Sequence, residues 1–230
     1  MNKPLLQIAL DTYDLPSALG PLQRAHQQID VIEVGTILCL SEGMHAVRAI
    51  RSLYPDKIVL ADVRIAEAGS IISKMAFEAG ADWVSVVSGA APSSFEVVLA
   101  EAQARQKDMQ IELSDGWTWE MAQRWSDMGV QQVIFKRSRD LEAQGQLSWG
   151  QQDFDQIHRL AEMGFKVTVT GGVKPADIPL FAGTPVYIFI AGRAIVKADD
   201  PAAAAKEFQD VISQTFGAAP ASPPGIETPG

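Results

Sequence analysis

Lys57-Ile-Val-Leu-Ala-Asp-Val-Arg-Ile-Ala-Glu67 is the stretch on which the fold turns. An apolar run of the kind that forms a buried strand closes on Asp62, Arg64 and Glu67. Side chains alternate across a strand, so Asp62 and Arg64 are expected on one face. An acid and a base side by side at the end of a buried strand are either a structural ion pair at a sheet rim or part of a polar reaction centre. Other strand candidates end in the same way, which favours the reaction centre.

Working outward, the same pattern recurs along the chain. Strands are expected at Leu5–Asp11, Val31–Thr36, Lys57–Ile65, Asp82–Ala90, Asp108–Ser114, Gln131–Arg137, Lys166–Gly172 and Val186–Ala191. Most are rich in Val and Ile and nearly continuous in hydrophobicity, as strands covered on both faces are. Amphipathic helices are expected between them, at Ser17–Ile29, Gly43–Tyr54, Ala68–Ala79, Ser94–Arg105, Thr118–Met128 and Asp153–Met163. Gly80, Gly129 and Gly164 stand where a helix must end and release the chain into a strand. Alternation of this kind predicts a (β/α)8 TIM barrel. An open doubly wound sheet would carry a glycine-rich turn after its first strand, and this chain has Asp11-Thr-Tyr-Asp14 there.

A length of 230 residues fits one such domain, expected over residues 1–217, with a Pro/Gly/Ala-rich tail at 218–230. Gln144–Gly150 reads as a loop on the catalytic rim. A formal net charge of −9 argues against a nucleic-acid surface. The single cysteine, Cys39, excludes an internal disulfide framework. The start of the chain does not read as a signal peptide. No uncharged apolar run approaches the roughly 18 residues that span a bilayer. A cytoplasmic protein that makes no membrane contact is the expectation.

In such barrels the active site lies where strand C-termini meet the following loops. Asp11, Glu33, Asp62, Arg64, Glu112 and Lys136 each sit within or just after an apolar run, on the parity opposite its apolar residues. Four carboxylates and two cations converging by that rule point to chemistry, because charged groups are rarely buried without partners. Glu33 and Asp62 offer hard oxygen ligands with no histidine or cysteine beside them, which suits Mg2+ completed by substrate and water. The competing reading is that both neutralise Arg64 or Lys136. His26, His45 and His158 fall in expected helices at irregular spacing, against a zinc site. Thr170-Gly171-Gly172 and Ala191-Gly192-Arg193 end the last two strands, where barrels commonly bind phosphate through backbone N–H groups. Arg193 would add a charge-assisted contact.

Six segments carry a closer resemblance: Ile32–Cys39, Tyr54–Asp62, Gln110–Leu113, Trp117–Glu120, Gly164–Gly172 and Phe189–Arg193. Over about Leu5–Phe216 the chain resembles the orotidine-monophosphate-decarboxylase superfamily. Within it, the likeness is to the 3-keto-L-gulonate-6-phosphate decarboxylase family, with hexulose-6-phosphate synthases as close relatives. The resemblance implies a homodimeric, Mg2+-dependent carbon–carbon lyase that removes CO2 from a phosphorylated keto-sugar acid through an enediolate. It implies Glu33 and Asp62 as metal ligands, Asp11 and Glu112 as substrate-site carboxylates, and Thr170, Gly172, Gly192 and Arg193 at the phosphate end. It further implies that Arg139 helps to deliver the proton and that Glu67 reaches the neighbouring subunit's substrate.

Three positions depart from that family. Its signature Asp-x-Lys-x-x-Asp reads Asp62-Val-Arg64-Ile-Ala-Glu67 here, and Lys136 replaces its proton-delivering histidine. Arginine stays charged and cannot pass a proton. Lysine keeps a donor, and repulsion from Arg64 and Arg139 is expected to tune it for general-acid work. Alternatives that stay open are an aldol-type hexulose-phosphate lyase and a non-catalytic sugar-phosphate-binding paralogue. The regions around Trp117-Thr-Trp119 and Glu112 look more like the decarboxylase. Ribulose-phosphate epimerases, whose metal site uses histidines at strand ends, fit less well.

Overall fold

The computed structural model describes residues 3–137 and 149–217. Eight parallel strands close into a barrel in sequence order: β1 (Leu5–Leu10), β2 (Val31–Val34), β3 (Ile58–Ile65), β4 (Trp83–Val87), β5 (Asp108–Glu112), β6 (Gln132–Lys136), β7 (Lys166–Thr170) and β8 (Val186–Ala191). The helices that return the chain are α1 (Leu15–Ala25), α2 (Thr36–Glu42), α3 (Met44–Leu53), α4 (Gly69–Glu78), α5 (Pro92–Ala104), α6 (Trp119–Met128), α7 (Gln151–Glu162), α8 (Arg193–Val196) and α9 (Pro201–Phe216).

The parity read from the sequence divides the core in two. Outward residues such as Leu6, Ile8, Ile32, Val59, Val84, Ile111, Val133 and Val167 pack with the helices in one cluster. Inward residues Ala9, Val31, Ile134, Ile188 and Ile190 form a second, smaller cluster inside the barrel. The rest of the interior is polar and fully buried at Gln7, Ser85, Gln110 and Thr168. Amides of this layer bond to one another: Gln110 Nε2 donates to Gln132 Oε1 at 2.9 Å, and Gln132 Nε2 donates to Asp108 Oδ2 at 2.6 Å. This pairing offsets much of the cost of burying amides, although Gln7 Oε1 and Gln110 Oε1 find no partner among the described residues.

Most strands stop a residue or more before their expected ends, yet Glu33, Arg64, Glu112 and Lys136 still lie within them and only Asp11 falls past its strand. The largest difference follows β2. Thr36, expected in the strand, opens α2 instead, with Gly35 as its N-cap. In the seventh unit a 3-10 helix, Pro175–Phe181, replaces an α-helix; Pro175 sits in its first turn and Pro179 inside it. Proline lacks the N–H an α-helix would need there. The helix-ending glycines Gly80, Gly129 and Gly164 all have φ between 90° and 105°, as left-handed helix ends require. The tail 218–230 lies outside the described residues. Among those described, no helix is long and apolar enough to cross a membrane.

Candidate active site

Strand ends place Asp11, Glu33, Asp62 and Glu112 within electrostatic reach of one another, since each of the other three raises the proton affinity of Glu33. Glu33 is buried, and desolvation pushes its carboxyl well above the ordinary range, with the charge of Asp62 adding to the effect. Its bonding partner is neutral: Gln7 Nε2 donates to Glu33 Oε2 at 2.7 Å. Asp62 is also raised by desolvation, partly offset by two hydroxyl donors. Ser85 Oγ donates to Oδ1 at 2.6 Å, and Thr36 Oγ1 donates to Oδ2 at 2.5 Å. Neither Glu33 nor Asp62 forms an ion pair with a described residue.

The cations go elsewhere. Arg64 grips Glu112 with two nitrogens, Nε to Oε2 and Nη2 to Oε1, both at 3.0 Å. Lys136 Nζ donates to the same Oε1. Direct pairing with Arg64 and Lys136 thus falls to Glu112, while Arg64 eases the charge of Asp62 without contact. Glu112 stands between Lys136 and Arg64 as a shared counter-ion. Arg139, the other expected neighbour, lies outside the described residues, as does most of the loop expected at Gln144–Gly150.

Arg64 does not reach its place by plain strand alternation. Its backbone is left-handed, φ 45°, and the register of β3 against β4 shifts between Ala61 and Ile65. Glu67 follows on an exposed turn before α4. Asp11 lies just past β1, where its Oδ1 accepts from Ile37 N at 3.4 Å. A Cβ at Gly35 would stand 2.4 Å from that oxygen, so only glycine lets the two loops meet.

The loops of the last two units open beside each other, since β7 and β8 are paired. Thr170 ends β7, with Gly171 and Gly172 at φ 103° and 70°. Arg137 fixes this turn: its Nη2 donates to Gly171 O at 2.8 Å while its guanidinium stacks on Trp149 at 4.0 Å. A Cβ on Gly171 would meet Arg137 N at 2.8 Å. Gly192 and Arg193 form the turn into the short α8, with Gly192 against the backbone of Ala9. Arg193 opens α8 and is exposed.

Among the described residues, no three His, Cys, Asp or Glu side chains converge as a protein-only metal cage. The pair Glu33 and Asp62 nonetheless fits a divalent cation well. Both are hard oxygen donors whose bonding partners are neutral, and Mg2+ is held by one or two carboxylates with substrate and water. Cys39 is not a competing ligand. Burial pushes its thiol up to about 12, and it donates to Val34 O. Gln7, Gly35, Thr36 and Ser85 were missed as site residues by the sequence reading. Gln7 and Ser85 did carry a signal: each is a polar residue on the inward parity of an apolar run.

Comparison with known proteins follows the same lines. The chain is 50% identical over 217 residues to 3-keto-L-gulonate-6-phosphate decarboxylase UlaD of Salmonella paratyphi B, covering 94% of this chain and all of that one. A ligand-bound structure of KGPDC from Streptococcus mutans superposes with a TM-score of 0.91 at 38% identity, over 94% of this chain and all of that one. The structure of 3-hexulose-6-phosphate synthase from Salmonella typhimurium follows at 0.85 and 27% identity, over 92% of this chain and all of that one. Residues 4–208 match the model of the orotidine 5'-phosphate decarboxylase / HUMPS family, and the chain belongs to that family.

Proposed function

We propose that this protein is a Mg2+-dependent carboxy-lyase acting on a β-keto acid sugar phosphate of the 3-keto-L-gulonate 6-phosphate kind. The observation that carries the reading is the division of charge at the rim. Glu112 takes both cations, and among the described residues Glu33 and Asp62 are left as raised carboxylates bonded by neutral donors. A pure phosphate binder has no use for that pair.

Glu33 and Asp62 would hold Mg2+, which when bound polarises a carbonyl and stabilises developing oxyanion charge. Thr170, Gly172, Gly192 and Arg193 would grip the phosphate, anchoring the substrate so that its keto acid lies over Glu33 and Asp62. The bond to the carboxylate breaks, CO2 leaves, and the electron pair passes into the carbonyl to give an enediolate. Arg64, fixed by its fork on Glu112, adds positive potential at the developing charge. Lys136 then gives a proton from Nζ to the enediolate carbon, with Arg139 assisting. Asp11 and Glu112 would face the substrate's hydroxyl groups.

A homodimer belongs to the same proposal. Leu40 on α2 and Ile71 and Met75 on α4 are 80%, 63% and 52% exposed. Ile71 and Met75 lie four residues apart on one helix face, and Val97 of the adjoining α5 is partly exposed as well. These exposed apolar side chains would be covered by a second copy, which in this proposal brings Glu67 near the partner's site. A cytoplasmic location goes with this reading.

The likeness to a hexulose-6-phosphate synthase supports a second reading, an aldol-type lyase passing through a similar enediolate. A CO2-release assay with Mg2+ across phosphorylated β-keto acids tests the first. Release from at least one of them is expected. Cleavage without CO2 would favour the aldol reading, and binding without turnover a sugar-phosphate-binding paralogue.

A further inference from the structure

Ser85 is fully buried on the inward face of β4. Its hydroxyl makes two bonds that bind the site's acid and base into one unit. Oγ donates to Asp62 Oδ1 at 2.6 Å and accepts from Arg64 N at 2.8 Å. A hydroxyl has one hydrogen to give, and here that hydrogen goes to the carboxylate while a lone pair takes the amide. The direction of both bonds is thereby fixed.

The place where this happens is an irregular one. β3 pairs with β4 at Leu60↔Trp83 and Ala61↔Val84, then resumes only at Ile65↔Val86. Asp62, Val63 and Arg64 thus have no regular partner on β4 along that edge. Arg64 takes up the slack with φ 45°, a conformation that costs a non-glycine residue free energy and persists only when its surroundings impose it. The Ser85 hydroxyl supplies what the missing ladder bond would have supplied. Alternate strands share a layer inside a barrel, so the turned Arg64 of β3 extends past the short Ser85 to Glu112 of β5. Thr36 holds the second oxygen of Asp62 from the opposite side.

We propose that Ser85 is a positioning residue: its hydroxyl locks the left-handed Arg64 backbone and the Asp62 carboxylate in one geometry, and so sets the distance between metal ligand and cation on which turnover depends. This rests on the reading of Asp62 as a metal ligand. Partners of this sort around a ligand typically change metal affinity or activity by about 10–100-fold when removed.

Ser85→Ala removes the hydroxyl and nothing else of consequence to packing. In steady-state decarboxylation with saturating Mg2+, kcat should fall by about 10–100-fold while KM moves less than about threefold. Titration calorimetry should show weaker Mg2+ binding, and a crystal structure should show Arg64 relaxed out of the left-handed region or Asp62 rotated. Wild-type kcat in a folded Ser85→Ala protein would overturn the proposal. So would an unmoved Asp62 and Arg64 together with unchanged Mg2+ affinity. If the wild type itself releases no CO2 from any keto acid, the decarboxylase reading fails separately. Ser85 is then judged by the titration and the crystal structure alone.

Discussion

Asp62 and Asp82 stand at opposite ends of the same barrel wall, and burial opposes the charge of both. At the base, Asp82 is surrounded by charge. Lys107 and Arg51 pair with it, and Val59 N donates to it at 2.9 Å. Together these outweigh desolvation and hold its carboxyl below the ordinary range. At the rim, desolvation outweighs the two hydroxyls that bond to Asp62 and the more distant charge of Arg64, and with Glu33 it stays above that range. The base carboxylate is paired with two cations, whereas among the described residues the rim pair is bonded by neutral donors and Asp62 feels Arg64 less than it feels either hydroxyl. Carboxylates alone do not mark a site; what bonds to them does.

If that contrast is sound, substitutions at the two ends should separate turnover from stability. The largest effect is expected for Glu33→Gln or Asp62→Asn. Either should lower kcat/KM by about a thousandfold, the equivalent of about 4 kcal/mol of transition-state stabilisation. Steady-state CO2 release checks this, and a loss below tenfold in either variant would break the comparison at the rim. Next comes Lys136→Met, which should cost at least about a hundredfold in kcat with KM nearly unchanged, since general acids typically contribute 10²–10⁴. Normal turnover would pass the proton role to Arg139 or water and leave Lys136 as a mere partner of Glu112.

At the base, Asp82→Asn should leave kcat alone and destabilise the fold by about 2 kcal/mol, because Arg51 and Lys107 lose their counter-ion. The sign of its pH dependence follows from a depressed carboxyl: the stabilisation is present above the unfolded value near 3.8 and is lost as pH falls through the folded one. Urea melts at pH 7 and pH 3 should therefore show the variant's deficit shrinking in acid. The smallest effect has the opposite sign. The raised carboxyl of Glu33 favours the fold only below the unfolded value near 4.5, and that benefit is lost as pH rises through the folded value. Glu33→Gln should accordingly stabilise the metal-free protein at pH 8 by about 1 kcal/mol. A metal-free variant that melts below the wild type at pH 8 would contradict an uncompensated charge at the rim.

Much of this architecture was legible in the residues. Alternation of apolar runs with amphipathic segments placed all eight strands, and Val186–Ala191 matched to the residue because a turn bounds it on each side. Thr36 was harder to place. β-branched residues suit strands, and only the loop geometry around Gly35 makes Thr36 the start of a helix. The clustering of Asp11, Glu33, Asp62 and Glu112 followed from parity, but the choice of partners did not. Which carboxylate receives Arg64 depends on a register shift in β3 and on the layering of alternate strands. Neither leaves a mark on a linear pattern. Ser85 and Gln7 were visible only as polar residues out of place in apolar runs, a signal that cannot say what they hold.

The central proposal is that Glu33 and Asp62, which form no ion pair with a described residue, hold a cation taken from solution. Isothermal titration of Mg2+ into chelator-stripped wild type, Glu33→Gln, Asp62→Asn and Asp82→Asn tests it most directly. One Mg2+ per chain is expected for wild type and Asp82→Asn, with loss of binding in both rim variants. Unchanged Mg2+ affinity in Glu33→Gln or Asp62→Asn would contradict it.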